Sequence, residues 1–306
     1  MQAPARRRRE AQTQRGIESP PESISIRRLF RERSPRLAKR LPPGTLRLFE
    51  ILAHQRTINA RIHGGRNLDP FEFCDWILRS FGISVTIKDE HLLRAASRPV
   101  ICANHPAGGV EGIALISVIG RIFGACRFPA NDLLRLVRPL APLIVPVRHG
   151  NLSRQAAKTH AEVYSGNSPI LVFPAGVTAR PKAGVLCELP WRVSFVTAAR
   201  RSERPLVPAA VSGRNSARFY RIYALRRALG IQLNIEMMLL VDELFRRRNG
   251  RITIRFLPHR DVQGNGAEAS PREADRRVAE QIRREVEDAA HELRREEEHL
   301  LSGRSR

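Results

Sequence analysis

His105 and Glu111 lie six residues apart in Asn104-His105-Pro106-Ala107-Gly108-Gly109-Val110-Glu111-Gly112. An imidazole close to a carboxylate is the minimal equipment for a general base and the group that orients it. A carboxylate on one ring nitrogen sets the tautomer and leaves the other nitrogen free to take a proton from an incoming hydroxyl or amine. No Ser, Cys or Thr nucleophile is needed if the substrate brings its own. The bland alternative is a histidine that merely closes a glycine-rich turn by hydrogen bonding. Asn104 can fix the local backbone through its side chain. Gly108 and Gly109, just before a helix start, can receive an anion such as a phosphate. The turn is neither a P-loop nor a dinucleotide fingerprint, because Gly-Lys-Ser/Thr and G-x-G-x-x-G are both absent.

A second cluster is Phe173-Pro174-Ala175-Gly176-Val177-Thr178-Ala179-Arg180, where an apolar run opens into a turn bearing a hydroxyl and a guanidinium. Arg180 is suited to bidentate pairing with a phosphate or carboxylate. A third is Ser212-Gly213-Arg214-Asn215-Ser216, which lacks the Gly-x-Ser-x-Gly of a nucleophile elbow.

These turns sit between elements that must position them. Pro99–Ala103, Ile170–Phe173 and Leu206–Val211 are short apolar runs, as expected of strands buried on both faces. Ile83–Ile87, Leu143–Val147 and Arg251–Phe256 are further strands, and Arg127–Asp132 is a short strand entering a loop, with a helix starting at Leu133. Helices are expected over about 111–123, 153–164 and 191–201. The alternation predicts an α/β domain with a largely parallel central sheet flanked by helices. An amphipathic helical pair precedes it. The first helix runs from about Leu46 to Ile62, with His54 inside it as a structural residue. The second has Asp69 as N-cap, Pro70 at N1 and Glu72 at N3. Both can be core or an interfacial membrane element. After residue 262 the chain turns polar, and Val278, Ile282, Val286, Ala289 and Leu293 mark a charged C-terminal helix. The organisation is a basic, largely disordered arm over 1–40, a main domain over 41–262, and a charged helix and tail over 263–306.

The formal net charge is +23, carried almost wholly by arginine. It suits a polyanion, either nucleic acid or an anionic membrane surface, or else reflects arginine-rich coding bias. Aromatic content is 6% and no nucleic-acid motif is present, so no nucleic-acid partner is expected. Cys74, Cys102, Cys126 and Cys187 are widely spaced, without metal or redox spacing, so no metal site is expected. The four-arginine start has no apolar stretch behind it, and no run suffices for a spanning helix.

At these blocks the chain resembles the glycerolipid and lysophospholipid acyltransferases, the 1-acylglycerol-3-phosphate O-acyltransferase type. It most resembles a bacterial subgroup labelled hemolysin-like or ornithine/glycine-lipid acyltransferase-like. The resemblance rests on Asn104–Gly112, on Phe173–Gly176 with Arg180, on Glu188-Leu189-Pro190-Trp191-Arg192-Val193-Ser194-Phe195, and on Gly213–Ser216 with Leu229–Met237, in that order. It covers roughly residues 40–258. Glu111 stands where the family has Asp, Val177 where the wider superfamily has Glu, and Ala179 where the subgroup has Ser. The resemblance implies acyl transfer to a lipid hydroxyl from acyl carrier protein or acyl-CoA as co-substrate, with no other cofactor. The acceptor would be a lysophospholipid, lysophosphatidate or lyso-ornithine-type lipid. His105 would be the base and Glu111 its partner. Asn104, Gly108, Gly109, Asn131, Gly176 and Arg180 would bind substrate. The place implied is the cytoplasmic face of the bacterial inner membrane, held peripherally. A catalytically weak or inactive lipid- or anion-binding homologue, and a hydrolase using water in place of the acceptor, remain open from the sequence.

Overall fold

The computed structural model describes residues 23–33, 35–42, 44–130, 132–146, 154–182, 185–230, 239–262 and 270–302. Asn131 and the arm over 1–22 lie outside them. Within the stretch 1–40, the chain forms α1 (Ile26–Arg33) and α2 (Pro35–Arg40). The Asn59 amide ties down the backbone of Ile24 at 2.9 and 2.8 Å, and Phe30 stacks on Phe49 at 5.5 Å. The single helix expected over 46–62 is two, α3 (Thr45–Leu52) and α4 (Gln55–Gly64). They part at His54, which takes a left-handed φ of 46°. That conformation costs an L-residue about 1–2 kcal/mol. It is held by tertiary partners: His54 Nε2 lies 2.8 Å from Asp242 Oδ1, and the ring stacks on Phe245 at 4.0 Å.

The next helix, α5 (Pro70–Ser80), starts as its sequence dictates. Asp69 accepts from the N–H groups of Phe71 and Glu72, and Glu72 reaches back to the Asp69 N–H. Then come β1 (Ser84–Lys88), α6 (Glu90–Arg94), β2 (Val100–Ala103), α7 (Val110–Phe123) and β3 (Phe128–Ala130). Two 3-10 turns, Asp132–Leu136 and Arg138–Leu140, stand where a helix was expected to begin. They lead to β4 (Ile144–Pro146), α8 (Arg154–Ser165), β5 (Ile170–Val172) and a hairpin of β6 (Arg180–Lys182) and β7 (Val185–Cys187). The remainder is α9 (Ser194–Arg201), β8 (Leu206–Val211), α10 (Ala217–Ala228), α11 (Leu240–Arg246), β9 (Arg251–Phe256) and α12 (Pro271–Ser302).

The central sheet has the order β1-β9-β8-β2-β5. Three of its pairings are parallel, and only β8 with β9 is antiparallel. Because side chains alternate along a strand, each strand feeds two cores. Ile101 and Ala103 of β2, with Val207 and Ala209 of β8, pack toward α5 and α7. Val100 and Cys102, with Leu206 and Ala210, pack toward α9 and α12. Ile282, Val286 and Leu293 of α12 are fully buried there, so the charged C-terminal helix shares this core. On the other face, Gly120 of α7 lies so close to the Phe71 ring that a Cβ would collide with it, which sets the approach of α5 to α7.

The fully buried Arg204 braces the strand entries. It donates to the carbonyls of Tyr164, Arg98 and Ser168 at 2.6, 3.0 and 2.9 Å, and also to Gly166. The parallel strands β8, β2 and β5 end on the same side of the sheet, which is where open α/β sheets bind ligands.

Candidate active site

The β2 strand delivers His105 to that edge. Just before it, Asn104 is 2% exposed, and both ends of its amide are occupied. Its Nδ2 donates to the Val211 carbonyl at 2.9 Å, and its Oδ1 accepts from the Val211 N–H at 2.7 Å. Asn104 therefore rivets the end of β2 to the end of β8. Asn104, expected from the resemblance to bind substrate, is not among the described residues that line the cavity below.

The turn that follows folds around Glu111. Glu111 Oε1 accepts from the N–H groups of Ala107 and Gly108 at 2.8 Å each, and Oε2 accepts from Gly109 at 3.0 Å. The glycine turn is thus an anion receptor whose anion is the chain's own carboxylate. These N–H groups are therefore already bonded and not free for an incoming anion. Gly108 has a φ of +85°, and a Cβ there would lie 2.5 Å from Thr178 Cγ2 and 2.7 Å from Leu240, so the turn admits only glycine. Gly109 begins α7 and has open space beside it.

His105 Nδ1 lies 3.0 Å from Glu111 Oε1, although the ring N–H does not point straight at the oxygen. Burial by itself would raise the Glu111 carboxyl. The imidazole and the backbone donors outweigh it and hold the group down at about 2. An ionised carboxylate at Nδ1 keeps the proton on that nitrogen and leaves Nε2 as the basic one. The other side of the ring rests on Phe173, centroids 4.4 Å apart, and Phe173 meets Phe128 edge-on.

A second carboxyl holds His105 from behind. Glu188 is 7% exposed, and its Oε1 accepts from the His105 backbone N–H at 3.0 Å. Its Oε2 faces Trp191 Nε1 at 3.4 Å, and its own N–H donates to Glu287 of α12 at 2.7 Å. Burial pushes the Glu188 carboxyl up to about 7. The folded chain therefore keeps a proton that the unfolded chain releases between about pH 4.5 and 7. Stability falls as pH rises through that window. Replacing Glu188 with Gln is expected to flatten the decline in Tm between pH 5 and 8, as followed by thermal melts across that range.

The site opens into a cavity of about 400 Å³. Its wall is mostly apolar, with Ile62, Phe73, Ile77, Ile113, Ile116 and Leu140 among its residues, and His105, Gly108, Gly109 and Gly176 line it too. Arg180 is not among the lining residues. Its guanidinium bonds to Thr178 and stacks over Phe219 and Tyr223, 5.3 and 4.9 Å from the ring centroids. Asn131 lies outside the described residues. Sequence reasoning missed Arg247 and Glu243, which line the cavity. Among the described residues, no three His, Cys, Asp or Glu side chains gather as a metal site. None of the described helices is long and apolar enough to cross a membrane.

A sheet edge that presents a carboxylate-paired histidine to an apolar cavity suits group transfer onto a lipid-like hydroxyl. The chain belongs to the acyltransferase family, whose profile matches residues 28–285. It is 30% identical over 235 residues to a lyso-glycine lipid O-acyltransferase of Bacteroides thetaiotaomicron, covering 76% of this chain and 86% of that one. A lyso-glycine lipid O-acyltransferase of Phocaeicola vulgatus is 30% identical over 233 residues, 76% of this chain and 84% of that one. Among solved structures, the 1-acyl-sn-glycerophosphate acyltransferase PlsC of Thermotoga maritima superposes with a TM-score of 0.45 at 14% identity, over 80% of this chain and 95% of that one.

Proposed function

We propose that this acyltransferase moves a fatty acyl group from a thioester, on acyl carrier protein or coenzyme A, to the hydroxyl of a lysolipid with an amino-acid head of the glycine or ornithine type. The observation that carries the reading is His105 Nδ1 against the ionised Glu111 at the wall of an apolar cavity. The relatives' activity supports the choice of acceptor. His105 Nε2 takes the proton of the acceptor hydroxyl as its oxygen attacks the thioester carbonyl carbon. The tetrahedral intermediate collapses with cleavage of the C–S bond. The thiolate leaves with the proton carried by His105, giving ester and free thiol. Glu111 stabilises the imidazolium formed in between.

We propose that the reaction takes place at an anionic membrane, on the cytoplasmic face of the bacterial inner membrane. Leu48 and Ile51 support this, since they stand exposed on α3 next to Arg47, in a chain of net charge +23. The test is thioester turnover with and without lysolipid. Ester formation that depends on the acceptor supports transfer. Thiol release that is equally fast without acceptor makes the protein a hydrolase.

A further inference from the structure

The mechanism leaves one charged group on the cavity wall without a part. Among the described lining residues, Arg247 is the only Lys or Arg. The only acidic one is Glu243, whose oxygens are taken up by Ser216, accepting from its N–H and its Oγ at 2.6 Å each. Arg247 follows α11 directly. Its Nη2 donates to the Arg214 carbonyl, and its guanidinium lies on the backbone of Gly213, where a Cβ would collide with Nη1. Backbone thus holds this side chain in place, and among the described residues no carboxylate pairs with it. A guanidinium beside apolar surface and without a counter-ion is electrostatically incomplete, and its planar fork matches a carboxylate or phosphate.

We infer that Arg247 pairs with the anionic group of the lipid acceptor's head while the acceptor's hydroxyl lies at His105. The inference rests on the lysolipid reading above. Helix α11 gives the scale. Leu240 at its start sits against Gly108 of the catalytic turn, and Arg247 comes seven residues later. Seven residues of helix rise about 10 Å. The turn and Arg247 are therefore set apart along α11, with the Arg247 side chain able to shorten or lengthen the span. Glycine carries no hydroxyl, so the hydroxyl of a glycine-type lysolipid sits on its acyl chain. If that chain is joined through nitrogen, the free carboxylate lies several bonds away, beyond the amide. In a lysophosphatidate with its free hydroxyl at the central carbon, phosphate and hydroxyl occupy neighbouring carbons, a much shorter span. The lyso-glycine lipid activity of the relatives favours the longer of these spans, the carboxylate of an N-acylated amino acid.

Steady-state kinetics of the full chain test this with three acceptors of equal chain length: an N-(3-hydroxyacyl)glycine, its methyl ester, and a lysophosphatidate. Wild type should prefer the free acid to the ester. Arg247→Gln should raise KM for the free acid by about 10- to 100-fold, with kcat changed only a few-fold and the ester unaffected. Arg247→Lys should recover part of the loss. Equal damage to acid and ester would mean a structural role and overturn the inference, as would no damage to either. A wild-type preference for lysophosphatidate that Arg247→Gln abolishes would keep Arg247 as the anion reader and overturn the carboxylate assignment. Wild-type protein that acylates none of the acceptors overturns the lysolipid reading and the inference with it. An active enzyme indifferent to Arg247 overturns the inference alone.

Discussion

With His105 changed to Ala, kcat for acyl transfer is expected to fall by about 10²–10⁴-fold, the range for loss of a positioned general base, while the protein stays folded. The fold survives because the histidine is not what keeps Glu111 in place. That carboxylate retains its three backbone donors when the ring is gone. The ring's main packing contact is one face of Phe173, at 4.4 Å. The hole left beside Phe173 opens to the cavity, so added imidazole should enter and restore part of the rate. Circular dichroism and melting temperature would establish that the variant is native-like. A native-like His105→Ala enzyme that transfers acyl groups as fast as wild type would remove His105 from the mechanism.

Two carboxyls flank this histidine, and their environments push them apart. Glu111 faces the imidazole and backbone donors and stays ionised down to about 2. Glu188, packed under Trp191 with a single N–H to accept from the turn, rises to about 7. Such a separation is how one site keeps a fixed charge and a titrating group side by side. The fixed charge sits at the imidazole. The titrating one sits behind the backbone, joined through Glu287 to α12. The C-terminal helix therefore reaches the His105 turn through Glu188, although among the described residues it lines no part of the cavity.

The parts of this arrangement that are local in sequence were legible. Fully buried parallel strands announce themselves as unbroken apolar runs, as β2, β5 and β8 do. The cap at Asp69 follows from three residue types within four positions. His105 and Glu111 share one turn. What escaped depends on distant partners. Asn104 meets Val211 across 107 residues, and Glu188 meets His105 across 83. His54 breaks its helix because of Asp242, 188 residues away. Nothing near those positions signals the partner. One local feature was open to better reading. A carboxylate just after Gly-Gly at a helix start is within reach of the preceding N–H groups, and that marks Glu111 as the occupant of the turn. Ser216 ahead of α10 was a readable N-cap signal as well, since its Oγ accepts from Phe219 N–H at 3.3 Å.

Exchange of Glu111 for Gln is expected to damage stability and catalysis together, and the reason lies in donor counting. The carboxylate accepts three backbone N–H groups with two oxygens. A glutamine keeps one oxygen, which can still serve Ala107 and Gly108. Its NH2 then faces the Gly109 N–H, donor against donor, in a site where Glu111 is 1% exposed. Leaving a buried donor unmade costs about 1–3 kcal/mol, and the charge-assisted bonds weaken besides, so a loss of about 2–4 kcal/mol is expected in denaturant unfolding at pH 7. The neutral amide also no longer fixes the proton on Nδ1 or stabilises the imidazolium, which adds a fall in kcat on the order of 10⁴-fold, the loss seen when a catalytic triad's carboxylate becomes an amide. The acid limb of stability gives an independent readout. Glu111 is depressed from 4.5 to about 2, so its contribution is full above about pH 4.5 and disappears as pH falls toward 2. Glu111→Gln should flatten that limb. Glu111→Asp keeps the charge but is one methylene shorter, so it should retain the acid limb and lose far less activity than Gln. Equal losses in both variants would mean that the reach of the side chain, rather than its charge, is what His105 requires.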